Sequence, residues 1–221
     1  MSTPFTPAEF PSNEVNRVAA LHALQVLDTP AEGEFDALVR AAALVCGVPI
    51  ALISLMDNDR QWFKARMGLD ATETPRNLAF CAHAILDEQI FEVPNALKDP
   101  RFAGNPLVTE APHIRFYAGA PLTLSTGERI GTLCVIDRES RQLDAKQRET
   151  LKCLAETVAA MLERRAQARH AAALQLELDK EQAALRDSEK RYQSMVEAMI
   201  SGFVLQDAEG AILSCNRSAE T

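Results

Sequence analysis

The chain has 221 residues, 47% of them hydrophobic and 24% charged, with a formal net charge of -8, which is a soluble, globular composition with room for one ordinary domain and something more. The acidic balance argues against nucleic acid or an anionic membrane surface as the main partner, and no apolar run reaches the ~18 residues that a membrane-spanning helix needs. The opening residues, MSTPFTPAEFPSNE, lack the basic head and apolar stretch of a signal peptide, so a cytoplasmic location is expected.

Residues 1–12 carry Pro4, Pro7 and Pro11 and are expected to be an irregular arm. Val15, Val18, Leu21 and Leu24 then recur at helical spacing and predict a short amphipathic helix. Thr29-Pro30-Ala31-Glu32 has the composition of a capping box, with proline at the first helical position. The helix after it places Phe35, Leu38, Ala42 and Val45 on one face and stops at Gly47 and Pro49. Val48 to Met56 is almost wholly apolar and reads as a central strand, Asp57-Asn58-Asp59 as a turn, and Arg60 to Met67 as the antiparallel neighbour. A polar loop leads to a short helix over Leu78 to Asp87, then to a strand at Phe91 to Pro94. Asp99-Pro100-Arg101-Phe102 and Asn105-Pro106 mark a structured loop with about one turn of helix.

The most informative stretch is Pro112 to Asp137, PHIRFYAGAPLTLSTGERIGTLCVID. Two β-prone arms, Ile114 to Leu124 and Arg129 to Ile136, flank Ser125-Thr126-Gly127, a turn with a glycine able to adopt φ > 0. Together with LQVLDTPAEGEFDALVRAAALVCGVPIALISLMDNDRQWFKARMG, ETPRNLAFCAHAI and VPNALKDPRFAGNPLV upstream, this stretch resembles a GAF domain of the subtype near the N-terminus of bacterial sensor kinases and cyclases, from about Asn13 to Leu162. The resemblance implies an α+β fold: an antiparallel sheet of five or six strands, with the N-terminal helices and the start of a long helix on one face. The Leu78 to Thr109 segment is expected to cover the other. GAF domains bind very different molecules or none, so no cofactor follows from the resemblance.

No glycine or proline occurs from Arg141 to Ser201, and Asp144 with Gln147 makes a capped start. As one helix this stretch would extend on the order of 90 Å. Its apolar stripe runs through Leu151, Leu154, Val158 and Met161, weakens at Arg164, Arg165 and Arg169, and resumes at Leu174, Leu178, Leu185, Tyr192, Met195 and Met199. Such a stripe is buried only against another helix, so a parallel dimeric coiled coil with a register break is expected over 163–190, making the chain a homodimer. Residues 191–221 resemble the beginning of a PAS domain. The cues are a helix ending near Gly202, strands through Phe203 to Gln206 and Ile212 to Cys215, a D-x-x-G turn at Asp207 to Gly210, then Asn216. On that reading the rest of the PAS domain and an output domain follow in a longer polypeptide.

Five cysteines, Cys46, Cys81, Cys134, Cys153 and Cys215, are far apart, and no C-x-x-C pair occurs. They read as free packing thiols rather than a zinc or thioredoxin-like site, and no metal-ligand spacing is found. Cys81-Ala82-His83 brings a thiol and an imidazole close in sequence, but residues two apart on a helix point away from each other. Cys81 is therefore expected to pack on the sheet and His83 to cap or hydrogen bond. Asp99, Arg101, Arg115 and Asp137 read either as the polar rim of a pocket for a small anion or metabolite or as an ion-pair network pinning the covering loop to the sheet. With Phe80, Cys81, His83, Phe102, Tyr117 and Cys134 they make up the candidate ligand site for an unknown small molecule.

The function expected is the sensory and transmitting part of a bacterial signalling protein, by small-molecule or redox sensing. The resemblance implies a histidine kinase or diguanylate cyclase parent, with no catalytic residue in this stretch. Two alternatives come from other classes: a thiol-based reductase like the free methionine sulfoxide reductases, using Cys81 and Cys134, and a ligand-free dimerisation module.

Overall fold

The computed structural model describes residues 5–198 and 204–215. The readings at Met199, Gly202, Phe203 and Asn216, and at the first four residues of the arm, lie outside the described residues. The chain divides into a compact unit that ends at Gln167 and a second unit from Ala168 onward.

An antiparallel sheet of 6 strands organises the first unit, in the order β3-β2-β1-β6-β5-β4. Its strands are β1 Ile50–Met56, β2 Arg60–Met67, β3 Glu73–Pro75, β4 Phe91–Val93, β5 Phe116–Thr123 and β6 Arg129–Asp137. All of β1 is buried, as a continuous apolar run in a sheet covered on both faces requires. Because side chains alternate along a strand, the sheet feeds two separate cores. Ala51, Ile53, Leu55, Leu133 and Val135 face one side, against α1 Glu14–Ala23, α2 Gly33–Cys46 and the start of α5 Ala145–Ala198. Ile50, Leu52, Cys134, Ile136 and Tyr117 face the other, against Phe80, Phe102 and Val108 of the covering segment. The expected layer arrangement is therefore present. In the hairpin β5 pairs with β6, Tyr117 opposite Ile136, and Gly127 turns the chain at φ 98, a conformation open to glycine at no steric cost.

Charged side chains anchor α1 to the turn after β1. Arg17 is buried, pairs with Glu14 and donates to the Met56 carbonyl at 2.6 Å. Arg76 donates to the Asp57 carbonyl at 2.7 Å and pairs with the same Glu14. The Asp57 carboxylate accepts from the Asn58 amide and contacts His22 Nε2 at 2.8 Å.

Several local expectations are corrected. Val15 is exposed, while Val18, Leu21 and Leu24 are buried. The inward face of α2 is Phe35, Val39, Ala42, Ala43 and Cys46, with Leu38 only half-buried and Val45 exposed. The capping box at Thr29 does not form: α2 begins at Gly33, and the Thr29 hydroxyl donates to the Val26 carbonyl and accepts from Lys64. The loop before Asn77 contains β3, and the helix read over 78–87 is only α3, Phe80–Ala84. The turn of helix near Asn105 is α4, Pro106–Thr109, with the Asn105 side chain accepting from the Leu107 amide.

The start of α5 is as read. The Asp144 amide donates to Gln147 Oε1 at 3.0 Å, and the Gln147 amide donates to Asp144 Oδ1 at 2.8 Å, a reciprocal cap. Its first apolar stripe is a correction to the dimer seam. Leu151 and Val158 are buried in the core of this chain, and Leu154 and Met161 pack against it. These residues lie on the sheet because its helical face offers them an apolar partner within the same chain. In the second unit Leu174, Leu178, Leu185 and Tyr192 are exposed. There β7 Val204–Gln206 and β8 Ile212–Cys215 form an antiparallel hairpin, whose turn is held by the Glu209 and Ala211 amides donating to Asp207 Oδ1.

The two halves of the stripe should respond differently to truncation. Leu151→Ala should cost about 2–5 kcal/mol in urea unfolding of the first unit, and Leu178→Ala less than about 0.5 kcal/mol in the same transition.

Candidate functional site

Between the sheet and the covering segments lies a cavity of about 360 Å³, within the range of small-molecule pockets. Ile50 and Leu52 of β1, Phe63 of β2, Ile136 of β6, and Phe80, Leu107 and Ile114 make it apolar. Gln61, Thr74, Cys81 and Tyr117 supply polar groups, and Asp70 and Arg138, both exposed, stand among its lining residues. Gly68 shapes this wall. It turns at φ 74, and a Cβ there would lie 2.1 Å from the Pro49 carbonyl oxygen, so only glycine lets the chain leave β2 so close to the start of β1.

One end of the cavity is built around sulfur. Cys81 Sγ accepts from Gln61 Nε2 at 3.2 Å, Tyr117 Oη at 3.2 Å and Thr132 Oγ1 at 3.1 Å, and lies 3.9 Å from Cys134 Sγ. Burial pushes the Cys81 thiol up, but the contacts from Cys134, Ser54, Thr132 and Tyr117 outweigh it and bring the thiol down to about 7. The Ser54 hydroxyl is buried and makes no hydrogen bond of its own among the described residues. Cys134 moves the opposite way, pushed well up by its Cys81 neighbour and by burial. Tyr117 is likewise raised by burial and by the two sulfurs. This end of the cavity therefore holds one thiol inclined to ionise beside one that keeps its proton.

Of the residues singled out from sequence, Phe80, Cys81 and Tyr117 line the cavity, and Cys134 sits behind Cys81. Phe102 stacks on Phe80 with ring centroids 4.0 Å apart and backs the wall. His83 does not approach the thiol; its Nε2 donates to the Thr6 carbonyl at 3.2 Å and its ring meets the edge of Phe102. Burial, then the nearby Arg101 charge, lowers the His83 pKa.

The four charged candidates form neither one rim nor one network. Arg101 pairs with Asp99 two residues away, at 2.6 Å, and holds that carboxyl below its usual range. Arg115 donates to the Val108 and Ile114 carbonyls. Asp137 pairs with Arg141. Each satisfies a local backbone or side-chain need, which explains why charge alone misplaced the site. Gln61, Thr74 and the loop after Gly68 were not singled out. Alternation along β2 placed Gln61 and Phe63 on one face, but which face carried the cavity was not legible.

Strand β2 ties this wall to the helical layer. In the β1–β2 ladder Ile53 pairs with Ala65 and Ser54 with Phe63, so Lys64 is the extra residue, and a bulge re-aims a side chain. Gln61 and Phe63 line the cavity, whereas Lys64 Nζ, with its side chain 0% exposed, donates to Thr29 Oγ1, the Pro30 carbonyl and Glu32 Oε1. All three ammonium donors are satisfied. Glu32 also accepts from Arg165 of α5, with ion-pair contacts of 2.8 Å to Arg165 and 2.6 Å to Lys64. A continuous line of contacts thus runs from the cavity wall through β2 to α5.

The family model described as the GAF domain matches residues 30–162. A cyclic di-GMP phosphodiesterase of Pseudomonas aeruginosa is 48% identical over 141 residues, which cover 64% of this chain and 23% of that protein. The chain thus spans about a quarter of the length of that curated relative. The GAF domain of a phosphoenolpyruvate-protein phosphotransferase from Coxiella burnetii superposes with a TM-score of 0.53 at 19% identity, covering 72% of this chain and 99% of that one. A domain from Sinorhizobium meliloti, described as belonging to a two-component sensor histidine kinase, gives 0.50 at 17% identity, covering 64% and 97%. At these identities the two structures establish the fold. No helix among the described residues is long and apolar enough to cross a membrane.

Thiolate absorbance near 240 nm should rise with a midpoint at about pH 7, and Cys81→Ser should remove that transition. Because the folded thiol ionises below its ordinary pH, folding stability should increase as pH rises from about 7 to 9. A transition appearing only above pH 8.5 would show the donor cage to be ineffective.

Proposed function

This chain belongs to the GAF domain family, and from that premise we propose that it is the sensory and transmitting region of a signalling protein. A small, largely apolar molecule carrying one or two polar groups occupies the cavity, satisfying Gln61, Thr74 or Tyr117. The observation that supports the reading is the line of contacts from Gln61 and Phe63 through the Lys64 bulge and Glu32 to Arg165. A ligand that shifts β2 by a fraction of an ångström perturbs a buried, fully satisfied ammonium. Such a group has few arrangements open to it, so the displacement is passed on to α5.

Downstream, the exposed Leu174, Leu178, Leu185 and Tyr192 are read as a dimer seam between two copies of α5. The β7–β8 hairpin with its Asp207 to Gly210 turn is read as the start of a PAS domain. The kinase and cyclase outputs inferred from the sequence are joined by the phosphodiesterase activity of the 48% identical relative. Turnover of cyclic di-GMP, common to the cyclase and the phosphodiesterase, is the output favoured here for the parent protein.

Intact mass and absorbance of the purified chain, followed by thermal unfolding across a metabolite panel, test the sensory reading. A ligand at about 100-fold its Kd should add about 2.7 kcal/mol of stability and raise Tm by several degrees, and Leu107→Trp, which fills the cavity, should abolish the shift. A flat panel together with a ligand-free mass would count against it. Arg165→Met should keep the ligand-induced shift but lose any ligand-dependent change in amide exchange along α5. Sedimentation should give a dimer that Leu178→Asp with Leu185→Asp converts to a folded monomer.

A further inference from the structure

We propose that Cys81 and Cys134 are a peroxide-responsive thiol pair: a hydroperoxide entering the cavity oxidises Cys81, and Cys134 resolves it to an intramolecular disulfide. The two sulfurs lie 3.9 Å apart although 53 positions separate them in the chain. Their surroundings assign them different roles. Cys81 lines the cavity and Cys134 does not, so a small oxidant reaches Cys81 first. Gln61, Tyr117 and Thr132 all donate to the Cys81 sulfur. Converging donors favour a thiolate, which is the nucleophile in thiol chemistry. The thiol at about 7 is consistent with that geometry, as is the protonated state held by Cys134.

The chemistry balances with the hydroperoxide as oxidant. The Cys81 thiolate attacks the distal peroxide oxygen, the O–O bond breaks, and the alkoxide or hydroxide leaves with a proton, giving a sulfenic acid. The Cys134 sulfur then attacks the sulfenic sulfur, and its proton departs with the hydroxyl as water, forming the disulfide. Two electrons pass from the thiol pair to the peroxide.

A disulfide needs an S–S distance of about 2.05 Å, so the sulfurs must approach by roughly 2 Å. Cys134 belongs to β6, paired on both sides by β1 and β5, whereas Cys81 belongs to the five-residue α3 on the covering face. The short helix is therefore the part that moves, and it carries Phe80, another cavity residue, with it. Oxidation would reshape the cavity whether or not a ligand is bound, so this inference goes beyond the ligand-sensing reading.

The test treats the full chain with hydrogen peroxide at pH 7, alkylates it in denaturant and maps all five cysteines by mass spectrometry. The exposed Cys153 serves as internal reference. Expected are loss of Cys81 at least about tenfold faster than Cys153, and a Cys81–Cys134 cross-link that is independent of protein concentration and reversed by dithiothreitol. In Cys134→Ser a dimedone-reactive sulfenic acid should accumulate at Cys81; should that variant fail to fold, the wild-type map alone decides. Oxidation of Cys81 no faster than Cys153, or oxidation that leaves Cys134 free to alkylate, overturns the proposal. Neither readout depends on the metabolite panel, so a failed ligand reading and a failed thiol reading remain distinguishable.

Discussion

Strand β1 is buried along its whole length and paired on both sides, by β2 and β6. Everything else is arranged around that constraint. A strand with no solvent-facing side must be apolar throughout, and its alternating side chains must fill two cores at once. One core takes the three helices that pack on the sheet. The other takes a covering segment too short and irregular to fill the space completely, and the cavity is what remains. The fold thus creates its own pocket on the side where the covering elements are least regular.

Alternation also separates the two faces: a strand residue whose side chain lines the cavity points away from α1, α2 and α5. Strand β2 nevertheless brings the two layers within one residue of each other, and past the bulge at Lys64 the next residue, Ala65, also faces the helical side. Alternation along β2 turns the Lys64 ammonium into the helical layer next to Phe63 and near Gln61, which line the cavity. Burying a lysine is costly unless every donor is satisfied, and Thr29, Pro30 and Glu32 do this together. That requirement explains why the Thr29 to Glu32 segment is not spent on capping α2. Its polar atoms are committed to Lys64, and Glu32 is shared with Arg165.

The sulfur-lined end of the cavity follows the same logic. A thiol buried between a sheet and a short helix is ordinarily a small apolar group. Here Gln61, Tyr117 and Thr132, from three different strands, each direct a donor at it. Satisfying those donors and activating the thiol are one arrangement.

Much of this was legible in the sequence because it is local. The apolar run of β1, the glycine turn of the β5–β6 hairpin, the Asp144–Gln147 cap of α5 and the Asp207 to Gly210 turn each depend on residues a few positions apart. The layer arrangement followed from the resemblance to GAF domains. Features that depend on distant pairing were not legible. Arg101, Arg115 and Asp137 carry charge and attracted a functional reading, yet each is taken up by neighbours that spacing alone does not reveal. Leu151 and Val158 continue a helical stripe that looked intermolecular until the sheet supplied a closer apolar surface. The strand register decided that Lys64 is the bulged residue, that Gln61 and Tyr117 converge on one sulfur, and that Cys81 meets Cys134. Register is settled by the summed burial of whole strands, and no short segment carries that sum. The sequence by itself therefore determined the main elements, the family of fold and some of the cavity residues, Phe80, Cys81 and Tyr117 among them, while tertiary pairing decided how those residues meet and which others join them.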